Sequence, residues 1–232
     1  MPMVERFMLA LVFLVLTACA TTQQANDVVT SGFLGDYSIL QKGAGDNQAL
    51  RRYVNPIADW KKYTKVIIDP VQLWMGKSSS LRFIPREERI RLTSILFGKI
   101  RDGLLADYRI VREPGPHVMR ISVALTEAKS SDVALDTISS ILPTGYVVSG
   151  TKSLATGTGT FVGAASVEAK ITDAEIGTLL AAAVDRRGGA KSLSGVTSEW
   201  DDVEESFQYW ASLLRYRLCQ WRGEHNCAKP TE

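Results

Sequence analysis

Thr160-Phe161-Val162-Gly163-Ala164-Ala165-Ser166-Val167-Glu168-Ala169-Lys170-Ile171-Thr172 alternates apolar with polar residues, and Asp173 to Gly177 then turns the chain into Thr178 to Val184. Phe161, Ala165, Val167 and Ile171 fall on one side; Thr160, Ser166, Glu168, Lys170 and Thr172 fall on the other. A period of two marks a strand with one face covered, and two such runs joined by a short turn predict a β-hairpin. Upstream, Met119, Ile121, Val123 and Leu125 alternate with Arg120, Ser122, Ala124 and Thr126, which predicts a further half-buried strand. Pro114-Gly115-Pro116 supplies the turn that separates it from a short strand at Tyr108 to Val111. Lys65-Val66-Ile67-Ile68-Asp69-Pro70 begins as a buried strand and is broken, or placed at an edge, by its proline.

Two helices complete the pattern. Pro85 opens a run in which Leu92, Leu96, Phe97, Ile100 and Leu104 share a face, with Arg86, Arg89, Lys99 and Arg101 among the exposed positions. From Ser198, the expected N-cap, to about Arg222, the residues Val203, Phe207, Trp210, Leu214, Leu218 and Trp221 recur every three or four positions. Acidic Asp201, Asp202, Glu204 and Glu205 open this helix, and Arg215, Arg217 and Arg222 close it, as the helix dipole favours. The expected fold is therefore α+β: a mainly antiparallel sheet with two long helices packed on it.

Ahead of the domain, Arg6 precedes an uncharged apolar run from Phe7 to Leu16, followed by Leu16-Thr17-Ala18-Cys19. The run is about half of the roughly 20 residues needed to span a bilayer, and its form is that of a secretion signal. Leu16 to Cys19 resembles the lipobox of bacterial lipoproteins. That resemblance implies cleavage before Cys19, acylation of Cys19, and a periplasm-facing location. Ala20 and Thr21 stand where inner-membrane lipoproteins usually show Asp, so by analogy the outer membrane is expected. Residues 19 to 31 read as a lipidated flexible tether, residues 32 to 222 as one domain, and residues 223 to 232 as a C-terminal tail. Loss of residues 1 to 18 removes Glu5 and Arg6 together, so the formal net charge stays at +2. A balance so near neutrality implies no nucleic-acid partner. With 45% hydrophobic residues, the chain can bury a substantial core.

No catalytic constellation emerges. His117 and His225 are the two histidines, and neither stands in a pattern that also supplies a nucleophile and a carboxylate. A Gly-x-Ser-x-Gly elbow is absent. Gly76-Lys77-Ser78 copies the tail of a phosphate-binding loop, but Val71 stands where its first glycine belongs. Gly157, Gly159 and Gly163 miss the dinucleotide fingerprint by one residue and precede a hairpin where a helix would be needed. Glu168, beside Lys170, and Asp185, before Arg186 and Arg187, read as surface ion pairs. Arg51-Arg52-Tyr53 and Lys61-Lys62-Tyr63 interleave basic and aromatic residues, which reads as a solvated surface with anionic lipid contact as the alternative. Neither a cofactor nor a metal is expected.

Several local patterns occur together: Ser31-Gly32-Phe33-Leu34 with Tyr37-Ser38-x-Leu40, Trp60-x-x-Tyr63-x-Lys65-Val66, and Ile68-Asp69-Pro70-Val71. Later come Val167-Glu168-Ala169-x-Ile171-x-Asp173-Ala174-x-x-Gly177 and Ala181-Ala182-Ala183-Val184-Asp185-x-Arg187-x-Gly189. As a set they resemble the proteobacterial lipoproteins of domain-of-unknown-function family 3313 over roughly residues 30 to 220. The family brings no catalytic residue. Its order of elements is similar to the amino-terminal domain of the TolB translocation protein, which implies a layer sandwich.

Residues 133 to 167 contain only Asp136 and Lys152 as charges. They read either as a segment packed over the sheet or, through Leu135, Ile138, Leu142 and Tyr146, as a subunit-contact or membrane-facing surface. The expected function is a non-enzymatic envelope lipoprotein that acts as an interaction or assembly module. A subunit of a multimeric ring or pore is the alternative, and an envelope hydrolase or small-ligand binder is the third class. Its partners would be the membrane, through the anchor, and an envelope protein or a second copy of the chain. Cys219 and Cys227 remain once Cys19 is acylated, and an oxidising compartment favours pairing them. Gly223 can end the helix in a left-handed conformation and return the chain for that bond. A metal site of Cys219, His225 and Cys227 is the alternative, one ligand short of a closed zinc site.

Overall fold

The computed structural model describes residues 22–45, 47–76, 78–130, 163–189 and 198–231. Cys19, Leu135, Ile138, Leu142 and Tyr146 lie outside them. The described strands are β1 (Thr22–Gln24), β2 (Gln41–Lys42), β3 (Arg51–Val54), β4 (Lys65–Ile68), β5 (Gln72–Leu73), β6 (Arg109–Ile110), β7 (Val118–Lys129), β8 (Ala164–Asp173) and β9 (Leu179–Gly189). The described helices are α1 (Arg86–Leu104) and α2 (Asp201–Trp221). All strands join one mixed sheet in the order β2-β3-β9-β8-β7-β4-β6, with β1 added to β9 and β5 to β7.

The long central pairings, β7 with β8 and β8 with β9, are antiparallel, as are β1 with β9 and β3 with β9. Parallel pairs arise where α1 carries the chain over the sheet: β4 lies parallel to β6 and to β7, and β5 to β7. A parallel neighbour needs such a crossover, whereas the β8–β9 hairpin needs only a turn. In that turn the Asp173 carboxylate accepts from the backbone N–H groups of Glu175 (3.0 Å) and Ile176 (3.2 Å). Gly177 closes it at φ +72°, a left-handed conformation that glycine adopts at low cost. Pro70 sits between β4 and β5, where it interrupts the edge of the sheet as its missing N–H requires.

Register fixes which side chains face the helices. Opposed across the strands are Ile121 with Ile171, Val123 with Ala169, Val167 with Asp185, and Ala181 with Val54. Against this face α1 buries Leu92, Leu96, Ile100 and Leu104, and α2 buries Val203, Phe207, Trp210 and Leu218. The helical periods seen in the sequence thus point to the core, although α2 begins at Asp201 with Trp200 at the cap position and no side-chain cap. Ser198 instead donates its N–H to the Asp201 carboxylate at 2.9 Å. The α2 arginines do not ride the helix dipole alone. Arg215 forks onto Asp107 just beyond α1, with contacts of 2.7 and 3.2 Å, and the Arg222 guanidinium lies 4.6 Å from the Tyr108 ring centre. Beyond α2, Gly223 turns at φ +75° and Cys219 and Cys227 form a disulfide, so the metal alternative at these cysteines falls away.

The opposite face departs from expectation. β7 was expected to be half-buried, yet Ser122, Ala124 and Thr126 are buried as well as Met119, Ile121 and Leu125. The cause lies in residues 25 to 37, which cross this face as a strap and bury Ala25, Val28 and Phe33. Phe33 packs edge-on against Trp74, at 5.6 Å between ring centres, and under the Lys170 ammonium at 5.0 Å. The tether expected over residues 19 to 31 is accordingly corrected from Thr22 onward. Thr22–Gln24 completes an edge of β9 that would otherwise present unpaired backbone groups, and the Thr22 hydroxyl meets that of Ser206 at 3.1 Å.

Glu168 is corrected in the same way. It is fully buried beneath the strap rather than paired at the surface. Its carboxylate accepts from the Ser31 N–H and the Tyr37 hydroxyl, each at 2.5 Å, and the Tyr37 oxygen in turn accepts from Gly32 N–H at 2.7 Å. Removing that carboxylate would leave two half-buried donors without their acceptor, at up to about 1 to 3 kcal/mol each. Glu168→Ala should therefore lower the melting temperature and let thermolysin cut at Phe33 and Leu34. A variant as resistant as the parent would show that the strap is held by other means.

Candidate functional site

The acidic and basic residues in the quoted motifs converge on tertiary contacts. Asp69 accepts from the Ser122 hydroxyl at 2.6 Å and lies 3.7 Å from the Arg120 guanidinium. Asp173 accepts from the Tyr63 hydroxyl at 2.8 Å and from the Lys62 ammonium at 3.3 Å, which ties the β8–β9 turn to the segment before β4. Arg187 donates to the Thr22 carbonyl at 2.8 Å and stacks 3.5 Å from the centre of the Tyr209 ring. These side chains are used up in holding elements together.

On the helix side of the sheet Asp185 is nearly as enclosed as Glu168, at 2% exposure. The reading that it ends a strand and pairs at the surface is corrected, because β9 continues to Gly189 and register turns Asp185 toward α2. One carboxylate oxygen accepts from Gln24 Nε2 (2.7 Å) and Leu50 N–H (3.0 Å); the other accepts from Trp210 Nε1 (2.7 Å). Burial pushes its pKa up, against the pull of the Trp210, Gln24 and Leu50 donors and of Arg187. Such a perturbed acid is a common mark of a catalytic site. Here both oxygens are already occupied by fixed donors, and the sequence carries no nucleophile pattern beside it.

Next to Asp185, between the sheet and the helices, lies a cavity of about 140 Å³. Val123, Ala169 and Ala183 line it from the sheet, Leu96 from α1 and Leu214 from α2. Its origin is in the sequence. β7 sends Ile121 and Val123 toward the helices, while β8 and β9 send Ala169, Ala181 and Ala183, whose missing methyl groups leave space that close-packed interiors normally fill. The cavity opens between β3 and α2, where Arg52 and Arg217 stand among its lining residues. Burial pushes the Arg217 pKa down, and the like charge of Arg52 adds to that shift.

None of the described site residues expected from the sequence is among those that line this cavity. Leu135, Ile138, Leu142, Tyr146 and Cys19 lie outside the described residues, and Cys219 and Cys227 serve as a staple of the α2 terminus. His117 is an exposed turn residue at φ +63°. Among the described residues, no group of three His, Cys, Asp or Glu side chains could hold a metal ion. The cavity's advance signals were weak: the alanine run of residues 181 to 183 reads equally well as an ordinary buried strand, and Arg52-Tyr53, which also lines it, reads first as solvated surface.

The class defined so far is an α+β domain with helices on one sheet face, a strap on the other, and buried acids as fasteners. The chain belongs to the family described as Protein of unknown function (DUF3313), whose model matches residues 29–214. No curated protein matches it. Among solved structures it is similar to the PelC dodecamer from Paraburkholderia phytofirmans, at 14% identity and a TM-score of 0.35, over 76% of this chain and 97% of that one. It is also similar to protein XCC0632 from Xanthomonas campestris, of family DUF330, at 8% identity and a TM-score of 0.39, over 73% and 92% of the two chains.

The Asp173 contacts set a pH dependence. Burial alone would raise its pKa, but the Tyr63 hydroxyl, the N–H groups of Glu175 and Ile176 and the Lys62 ammonium outweigh it and hold the carboxyl below its ordinary 3.8. A depressed carboxylate contributes stability above its unfolded pKa and loses it as pH falls through the folded one. Asp173→Asn should therefore melt below the parent at pH 6, and the gap should close as the pH drops below 3.8. A gap that stayed constant down to pH 2 would contradict this assignment.

Proposed function

We propose that the chain is a non-enzymatic lipoprotein of the bacterial envelope, anchored through Cys19 on the periplasmic side of the outer membrane, where it serves as an interaction or assembly module. The observation that carries this reading is the place of β1. Thr22 lies three residues beyond Cys19 and is already paired with Gly189 in the sheet. At about 3.5 Å per residue, an acylated Cys19 would hold this end of the sheet within roughly 10 Å of the bilayer. The ends of β7 and β8 lie there too, since Lys129 opposes Ala164 and Ala164 opposes Gly188. Those residues bound the nearly uncharged stretch with Leu135, Ile138, Leu142 and Tyr146, so anchoring would bring its two ends to the membrane side.

Two further features support the module. The buried acids Glu168, Asp173 and Asp185 all have their oxygens engaged in tertiary or turn contacts, an arrangement that serves rigidity better than turnover. At the other end of the sheet, Ile57 next to β3 and Ile176 in the β8–β9 turn are 90% and 72% exposed, and they offer an apolar contact to another envelope protein or a second copy of the chain. No described helix is long and apolar enough to cross a membrane.

Growth of an expressing bacterium with labelled palmitate tests the anchor. The parent should take up the label, and Cys19→Ser should take up none while retaining the mass of residues 1 to 18. An unlabelled parent, or equal labelling of the variant, would remove the anchor from the account.

A further inference from the structure

The cavity between the sheet and the helices has no part in the anchoring reading, and its chemistry is specific. We propose that it is a binding site for an anionic single-chain amphiphile, a carboxylate or phosphate monoester with an unbranched alkyl tail. The tail enters between β3 and α2, and the head group rests on Arg52 and Arg217.

Three observations converge. First, apart from Gln48 and the two arginines near its opening, the polar lining is Asp185, whose two oxygens are held by Gln24, Leu50 and Trp210 and so face no guest; the rest is predominantly apolar. At about 140 Å³ it is close to the roughly 150 Å³ of dry protein cavities that take up benzene, so about six carbons of a tail fit inside and the rest passes out through the open side. Second, the opening carries two cations that lack an acidic partner among the described residues. Arg52 donates from Nε to Gln48 Oε1 at 2.6 Å; Arg217 donates from Nη1 to Gln220 Oε1 at 2.8 Å and from Nη2 to the Asn47 carbonyl. All of these acceptors are neutral. Third, the two guanidinium groups are close enough for Arg52 to disfavour the charge on Arg217, a repulsion that a bound anion relieves. An apolar slot beneath two uncompensated cations selects for a tail and a negative head on one molecule. A free anion would leave the slot empty, and a neutral lipid would leave the arginines unpaired.

The register of β3 explains how the site is assembled. Arg52 opposes Ala183, so the same strand position that places a small side chain in the cavity places a cation at its edge. Arg217 lies one helical turn past Leu213, a lining residue, and faces the same opening from α2.

The test uses the full chain in nanodiscs of zwitterionic phosphatidylcholine and a decanoate bearing a terminal diazirine. Photolysis should attach the probe, in saturable fashion, to the peptides that contain Leu96 and Leu214. Unlabelled decanoate should compete and decanol should not. Arg52→Gln with Arg217→Gln should weaken labelling about tenfold, as loss of charge-assisted contacts implies. Ala183→Leu, which fills the space, should abolish labelling while its melting temperature stays at or above that of the parent. If that variant does not fold, the smaller change Ala183→Val should still reduce labelling. Labels scattered outside the lining, equal competition by decanol, or undiminished labelling in the double arginine variant would each overturn the proposal.

Discussion

A buried carboxylate in the middle of a strand is the constraint on which this fold turns. Asp185 is nearly sealed from water, and an ion in that position is tolerable only with strong local donors. The three it has come from three separate places: β1 through Gln24, the entry to β3 through Leu50, and α2 through Trp210. One side chain therefore fixes where the first strand, the third strand and the last helix meet β9. Its raised pKa records the strain of burial that those donors only partly offset. Since β1 follows so soon after Cys19, the same contact would also transmit the position of an anchor to the helical layer.

The two faces of the sheet answer different needs. On the strap face, Glu168 gathers Ser31 and Tyr37 over polar strand positions that would otherwise be solvated, so a surface of Ser, Thr and Glu becomes interior. On the helix face, packing is apolar and incomplete, because Ala169, Ala181 and Ala183 of β8 and β9 fill little of the space beneath the helices. Trp210 packs against Phe207, with ring centres 6.1 Å apart, and Trp60 against Trp221 at 4.5 Å, and the Trp210 and Trp221 rings line the cavity beside the alanines. The cavity thus has aromatic walls on the helix side and small side chains on the sheet side.

Local periodicity made much of this legible. Leu92, Leu96, Ile100 and Leu104 announced α1, Phe207 and Trp210 announced the buried stripe of α2, Pro70 marked the break between β4 and β5, and Asp173 to Gly177 marked the hairpin turn. The disulfide was legible too, from Gly223 and the return of the chain to Cys219. Glu168 and Asp185 were not, because an acid in an alternating strand reads the same whether its far side meets water or another part of the chain. Only the non-local arrival of residues 22 to 37 decides between these, and a polar stretch such as Thr22-Gln23-Gln24 gives no sign that its side chains are needed as donors. The arginines at the cavity were hidden for a related reason: Arg52 and Arg217 are far apart in sequence, and each alone looks like surface.

Hydrogen exchange on Asp185→Asn tests the central claim most directly. An asparagine offers one acceptor oxygen and two donors of its own, so it cannot receive all three of the contacts that the carboxylate receives. The account predicts that the amides of Thr22–Gln24, Leu50 and the first half of α2 lose protection together, while those of α1 keep theirs. Parent-like protection in β1 and at Leu50 would show that the strands meet β9 without this carboxylate, and would contradict the account.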